Sequence, residues 1–255
     1  MTKNTDLPKK RKGNAFLDPF GNLVFLKRAL TGWLGIATYR HLNIINKTDV
    51  IGADFLMALP DKNVLFVSNH QTYYVDVIAL YHIFGSVKWK FKNINNPLYL
   101  LLPRVKAYYI AAEETMTQSG WLGRLFSYAG AVTVRRAWRS GGKDVIRSSD
   151  VKAPAKIKTA LEYGWVVNFP QGTTRPGAPV RKGSASLIKK YKPIVVPVKL
   201  TGFDEAFAKK GVKVKNKGTQ LTVEFGEPVQ FGDETTVAEI QTYLEKVIQG
   251  ATSLE

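Results

Sequence analysis

The chain has 255 residues, with 37 lysines and arginines against 20 acidic residues, three histidines and no cysteine. That length supports one hydrophobic core; disulfide and thiol chemistry are excluded, and histidines at 41, 70 and 82 are too few and too separated for a zinc site. A net charge of +17 concerns partners rather than fold, and it favours anionic ones: nucleic acid, acidic lipid surfaces or an acidic carrier protein.

Lys3, Lys9, Lys10, Arg11 and Lys12 precede any apolar run. That is not the layout of a secretory signal, so an interior compartment is expected. Residues 20–39 are quasi-apolar but broken by Lys27 and Arg28, short of the roughly 20 clean residues of a membrane span. Two readings remain, a soluble packing helix or a helix lying on the bilayer. The second has Trp33 and Tyr39 suited to the interface and preceding cations worth about 1 kcal/mol each at best against anionic lipid.

Residues 64–67 are an unbroken apolar run ending in Ser-Asn-His, which suits a parallel strand covered on both faces. His70 then lies just past the carboxyl end of a strand, where ligands bind in open α/β sheets. Asp76, in the first turns of a helix expected over 75–84 and stopped by Gly85, can hold one imidazole nitrogen and leave the other free as a base. That is a triad without its serine. His82 reads as a packing residue of the helix. Residues 87–91 alternate Lys88 and Lys90 with apolar neighbours, the period of a half-exposed strand whose cations either line the site or face solvent. Residues 97–112, cut by Pro103, read as two short helical or irregular pieces.

A short helix is expected over 121–128 and a strand over 131–134, ending at Arg135 and Arg136, whose guanidinium forks suit a phosphate. Gly141, Gly142, Ser148 and Ser149 mark a flexible loop. A helix over 153–164 leads to a buried strand over 165–169, followed at once by Pro170, Gln171, Gly172, Thr173, Thr174 and Arg175. Glycine there lets backbone N–H groups approach an oxyanion, threonines donate, and the arginine can hold a phosphate. Arg181 and Lys182 extend a basic rim before a helix over 184–190. Pro197 inside the apolar strand 194–200 argues for an edge or bulge position. A late strand over 219–225 and a capping box, Thr236 with Glu239, before a terminal amphipathic helix complete the chain.

Four of these stretches, in order over about 59–202, resemble the sequence blocks of the glycerolipid acyltransferases, the family of 1-acylglycerol-3-phosphate acyltransferase. Asn69, His70 and Asp76 match the first block, except that the family places four residues between histidine and acid and this chain places five, Gln71 to Val75. On a regular helix six positions turn about 240° and five about 140°, so either a bulge absorbs the extra residue or the pair is not catalytic. Arg135 and Arg136 are both open as the second block's arginine, which binds the acceptor's phosphate in the family, with Arg136 favoured. Phe169 to Arg175 resembles Phe-Pro-Glu-Gly-Thr-Arg, with Gln171 for the glutamate and Thr174 added. Pro197 falls in the fourth block, which helps to shape the acyl-donor pocket. Residues 93–119 look inserted, either covering an acyl chain, touching lipid, or merely filling core.

The resemblance implies an α/β fold with a mostly parallel central sheet flanked by helices. Residues 1–45 would form a basic tail and an amphipathic membrane-associating helix, 46–250 the catalytic domain, and 251–255 a tail whose Ser-Leu-Glu ending looks like a cloning remnant. The implied reaction moves a fatty acyl group from acyl-CoA or acyl carrier protein to the hydroxyl of a lysophospholipid, foremost 1-acylglycerol-3-phosphate, giving phosphatidic acid. His70 would be the general base and Asp76 its orienter. Arg136, Arg135 and Arg175 would grip the acceptor phosphate, with Asn69, Gln171, Gly172, Thr173 and Thr174 as further substrate contacts. No cofactor, no metal and no nucleic acid is expected. A covalent acyl-enzyme is not needed, in keeping with the absence of a Gly-x-Ser-x-Gly elbow and of cysteine. A bacterial enzyme, peripheral or monotopic on the cytoplasmic side of the inner membrane, is implied. Two rivals stand beside it: an O-acyltransferase for an ornithine- or glycine-headed lysolipid, prompted by Gln171 and the longer spacing, and a nucleic-acid-binding protein, prompted by charge alone. The latter's cations are scattered rather than striped with stacking aromatics.

Overall fold

The computed structural model describes residues 16–135, 139–140, 143–144 and 150–249. The expectations placed on the basic tail, on Arg136, on Gly141, Gly142, Ser148 and Ser149 and on residues 251–255 lie outside them. Seven strands form one sheet: β1 (Lys47–Ile51), β2 (Val64–Ser68), β3 (Ala107–Ala112), β4 (Ala131–Val134), β5 (Trp165–Asn168), β6 (Ile194–Thr201) and β7 (Gln220–Phe225). Their spatial order is β1-β7-β6-β2-β5-β3-β4. Every pairing is parallel except β6 with β7. A further short ladder pairs Arg139–Ser140 with Lys143–Asp144. All residues of β2 and β5 are buried, as unbroken apolar runs require when helices cover both faces of a sheet.

The helices are α1 (Val24–Arg40), α2 (Ala53–Met57), α3 (Val75–Lys88), α4 (Glu113–Gln118), α5 (Gly120–Gly130), α6 (Ala153–Tyr163), α7 (Lys182–Tyr191), α8 (Phe203–Ala206) and α9 (Val237–Gln249). On one face α3 packs its apolar residues over Phe66, Trp165 and Phe225. On the other, Ile157 and Leu161 of α6, Ile188 of α7 and Ile240 and Leu244 of α9 cover Leu65, Val67 and Val166. The capping box forms as expected: Thr236 N–H donates to Glu239 (2.7 Å) and Glu239 N–H to the Thr236 hydroxyl (3.2 Å).

Helix α1 is amphipathic in an unusual sense. Its buried positions are Gly32, Gly35 and Thr38, a seam so close that a Cβ on Gly35 would lie 2.6 Å from Leu100 Cδ2. The large apolar residues point away from the protein, with Phe25 83%, Trp33 58% and Ile36 58% exposed.

Three expectations are corrected and a fourth is narrowed. Helix α3 does not stop at Gly85 but runs to Lys88. Gly85 serves close packing, since a Cβ there would sit 3.1 Å from the Tyr99 ring. The strand expected over 87–91 is absent, because the N–H groups of Trp89 and Lys90 close the helix on Ser86 and Val87 carbonyls and Lys90 turns the chain at φ 67°. A five-residue alternation was too short to choose between periods. Within 97–112, one 3₁₀ turn (Pro97–Leu100) forms, but the second piece is strand β3, recruited by pairing to β5 and β4. Pro197 is not on an edge strand, since β6 lies between β7 and β2. Its carbonyl accepts from Gly226 N–H (2.9 Å) while Val195 pairs with Val229, which puts one extra residue opposite 195–197, so the missing donor sits at a bulge, the other alternative the proline allowed.

Gly164 shows how closely β5 is seated: a Cβ there would lie 2.1 Å from the Lys106 carbonyl oxygen, which accepts from Trp165 N–H. Gly164→Ala is expected to cost about 2–4 kcal/mol by prying β5 from the β3 entry, measured by urea unfolding.

Candidate active site

Strands β2, β5, β6, β3 and β4 end at the same edge of the sheet, and β2 at its middle delivers Asn69 and His70 there. Asn69 is spent on the scaffold. Its Nδ2 donates to Leu200 O and its Oδ1 accepts from Leu200 N–H, both at 2.8 Å, so it extends the β2–β6 ladder by one side-chain rung rather than reaching for substrate.

His70 Nδ1 donates to Asp76 Oδ2 at 2.8 Å. Asp76 is fully buried in the first turn of α3, and its carboxylate also accepts from Gln71 N–H (2.7 Å), Thr72 N–H (3.0 Å) and the Thr72 hydroxyl (2.6 Å). The Thr72 hydroxyl in turn accepts from Asp76 N–H at 3.2 Å. Such a set of donors satisfies both oxygens of a buried acid. The longer histidine-to-acid spacing is thereby explained without a helical bulge. Only Val75 and Asp76 of the stretch are helical, and the extra residue is taken up by the non-helical loop over 70–74. The rotation argument from a regular helix therefore does not apply.

The imidazole stacks on Phe169, ring centres 3.9 Å apart and planes at 19°. With Nδ1 committed to Asp76, Nε2 has no partner among the described residues. His70 lines a cavity of about 350 Å³ together with Tyr73, Gly172, Thr173, Thr174, Glu114 and Lys210, among others. A smaller apolar pocket of about 30 Å³ shares Val77 and Tyr109 with it and passes beneath α1 at Leu34 and Gly35. His82 sits in that pocket's wall. The Thr38 hydroxyl donates to Leu34 O (2.7 Å), so His82 Nε2–H donates to Thr38 (3.0 Å) and Tyr99 donates to Nδ1 (2.7 Å). Burial pushes this imidazole down to about 3, which keeps it neutral and makes it the packing residue expected. The 93–119 segment both fills core and faces outward: Tyr99 and Leu100 wall the pocket, while Leu98, Leu101 and Leu102 are exposed.

The loop after β5 turns at Gly172 (φ 64°), whose N–H donates to Phe169 O at 2.9 Å. Gln171 is buried, and the N–H end of its amide is used inside the loop. Its Nε2 donates to Ala178 O (2.7 Å), closing the loop on itself, while the Phe203 N–H at the start of α8 donates to Gln71 Oε1 of the histidine loop (2.9 Å). A carboxylate has no N–H to give the Ala178 carbonyl, so an amide fits this chain for structural reasons. Arg175 is exposed beyond the loop. Arg135 is exposed at the end of β4, its N–H on Asp150 (3.1 Å) and its guanidinium 3.6 Å from Glu113. Neither arginine, nor Pro197, nor Asn69, nor Gln171 is among the residues lining the cavity. Glu114, Thr115 and Gln118 of α4, Tyr73 and Lys210 do line it, and sequence reasoning passed over them. The lysine run over 209–217 was the one visible signal.

Among the described residues no group of three histidines, cysteines or acids is placed to hold a metal ion, and no serine or cysteine lines the cavity. A histidine held at Nδ1 by a buried acid, with Nε2 open, has the geometry that general acid–base chemistry requires. The fold and site thus define an α/β protein with a histidine–aspartate pair set at the carboxyl edge of a mostly parallel sheet. The acyltransferase family model, described as Acyltransferase, matches residues 47–201, which contain all four sequence blocks. The chain belongs to that family and is an acyltransferase. Comparison with curated proteins finds no match. Among solved structures the fold is similar to the 1-acyl-sn-glycerophosphate (LPA) acyltransferase PlsC from Thermotoga maritima, with TM-score 0.53 and 20% identity over 88% of this chain and 78% of that one.

Gln171→Glu is expected to destabilise the protein by about 1–3 kcal/mol near neutral pH, because an ionised carboxyl would face the Ala178 carbonyl. The new group would have its folded pKa raised, so the loss shrinks as pH falls toward about 5 and the carboxyl regains a donor. Denaturant midpoints across that pH range measure it.

Proposed function

We propose that the protein transfers a fatty acyl group from an acyl thioester to the free hydroxyl of a lysophospholipid, foremost 1-acylglycerol-3-phosphate. The observation that carries this reading is the His70–Asp76 pair, oriented from below and open at Nε2 onto a cavity edged by Gly172 and Thr173. Nε2 takes the hydroxyl proton as the oxygen attacks the thioester carbonyl. The oxyanion of the tetrahedral intermediate is met by the donors of Thr173, carried past the Gly172 turn. The C–S bond breaks, and the leaving thiolate receives the proton back from the imidazolium, so the enzyme ends unchanged and no acyl-enzyme forms. Asp76 keeps the ring in line and stabilises its positive charge. Arg135 and Arg175, with Arg136, are the groups for the acceptor phosphate on this reading. Acyl-CoA or acyl carrier protein is the donor, and no cofactor or metal enters.

The ornithine- or glycine-headed alternative loses much of its motive, since the Gln171 amide is accounted for by its bond to Ala178 and the spacing by the loop over 70–74. No helix among the described residues is long and apolar enough to cross a membrane. We place the enzyme peripherally or monotopically on the cytoplasmic face of a bacterial inner membrane, with Phe25, Leu26, Trp33 and Ile36 of α1 entering the interface beside Leu101 and Trp121. All six are exposed, and α1 packs on both the 3₁₀ turn and α5.

With purified protein, lysophosphatidate and acyl-CoA or acyl carrier protein, His70→Ala is expected to lower kcat by about 10²–10⁴-fold, and Asp76→Asn comparably, with the fold retained. Full activity in His70→Ala would end the proposal. Phe25→Asp with Trp33→Asp is expected to weaken binding to phosphatidylglycerol vesicles by about tenfold or more, measured by co-sedimentation, without lowering thermal stability.

A further inference from the structure

The run of lysines between α8 and β7 occupies a place that the reaction above leaves without a role. Residues 207–214 form a small hairpin: Phe207 pairs antiparallel with Val214, Ala208 N–H donates to Lys213 O (2.9 Å), and Lys215 N–H donates to Ala206 O (2.7 Å). Gly211 turns its tip at φ 91°. Val212 and Val214 pack inward on the core, which leaves Lys209, Lys210 and Lys213 exposed. None of these three is paired with an acid among the described residues.

Two links join this hairpin to the chemistry. Tyr73 N–H, in the loop between His70 and Asp76, donates to Lys209 O at 3.0 Å. Lys210 lines the same cavity as His70. Topology sets the hairpin apart from the arginines. It follows β6, which lies on one side of β2, whereas Arg175 and Arg135 follow β5 and β4 on the other side. His70 therefore stands between two separate cationic groups. Acyl transfer has two substrates that must meet at His70, and each carries phosphate. The arginine side suits the acceptor, which leaves the lysine side for the donor.

We propose that Lys209, Lys210 and Lys213 bind the phosphate of the donor's phosphopantetheine arm, the chemistry shared by acyl-CoA and acyl carrier protein. The pantetheine spacer lets the phosphate rest at the cavity mouth while the thioester reaches Nε2. A bilayer contact is disfavoured because the hairpin exposes no apolar anchor, in contrast to α1. The inference rests on the acyl-transfer reading, but its first test needs no turnover.

In the full-length protein, Lys209→Glu with Lys210→Glu is expected to weaken equilibrium binding of free CoA by about tenfold or more, and to make the remaining binding less sensitive to salt. The KM for acyl-CoA rises by a similar factor, while the KM for lysophosphatidate stays within about twofold. An acyl-pantetheine thioester lacking phosphate is used equally by both proteins. A matching rise in KM with acyl carrier protein assigns the effect to the shared phosphodiester, whereas a rise confined to acyl-CoA assigns it to the nucleotide phosphates and overturns the phosphopantetheine assignment. Unchanged CoA binding overturns the proposal, as does a rise confined to the lysophosphatidate KM, or loss of anionic-vesicle binding with donor constants intact. If CoA binding falls as stated but the unaltered protein transfers no acyl group, the acyl-transfer reading fails while the phosphate site stands.

Discussion

A single buried carboxylate holds the active edge of this protein together. Asp76 has no solvent to share its charge with, so the groups around it must supply every hydrogen bond, and they do so from three consecutive residues: His70, Gln71 and Thr72. An acid withdrawn from water and fully satisfied is costly to disturb, because removing one partner leaves the rest desolvated. The loop that carries the imidazole is therefore shaped by the carboxylate, and the imidazole is aimed by the same act. The position of Asp76 in the first turn of α3 adds the favourable field of the helix's free N–H groups.

From this point the sheet spreads the remaining work to either side. Strand β5 brings Phe169 under the imidazole and Gly172 beside the cavity, and β4 brings Arg135 to the rim. Strand β6 leads into α8, whose Phe203 N–H donates to Gln71 of the histidine loop, and then into the lysine hairpin, which is bonded to Tyr73. The β6 side thus touches the histidine loop through hydrogen bonds and the β5 side through the Phe169 ring. The apolar business is kept elsewhere: α1 gives its small residues to the protein and its large ones to the outside, the reverse of a helix that belongs to a core.

Much of the site was legible in the chain because it is local. Histidine, acid and the strand before them lie within thirteen residues, and the Phe169–Arg175 loop follows its strand without a gap. What misled were side chains whose partners lie beyond their own motif. Asn69 and Gln171 look like substrate contacts from their neighbours alone, yet the Asn69 amide is consumed by Leu200 and the Gln171 amide N–H is given to Ala178. Strand β3 was missed for the same reason, since Tyr108 and Tyr109 become strand only by lying between β5 and β4. Lys210 was invisible as a cavity residue because nothing before the fold says that the turn after α8 comes back to His70.

The sequence by itself determined the buried parallel strands, the chemistry-bearing residues at their ends, the capping of the last helix and the family, all of which depend on residue type and spacing within one segment. Only the tertiary structure decided how the extra residue before Asp76 is accommodated, which polar side chains serve the scaffold instead of the substrate, where Pro197 can sit in an interior strand, and which cations share the cavity. Those outcomes depend on hydrogen bonds and close contacts between segments up to about 130 residues apart, and a donor's partner across that distance is set by packing, not by its neighbours in the chain.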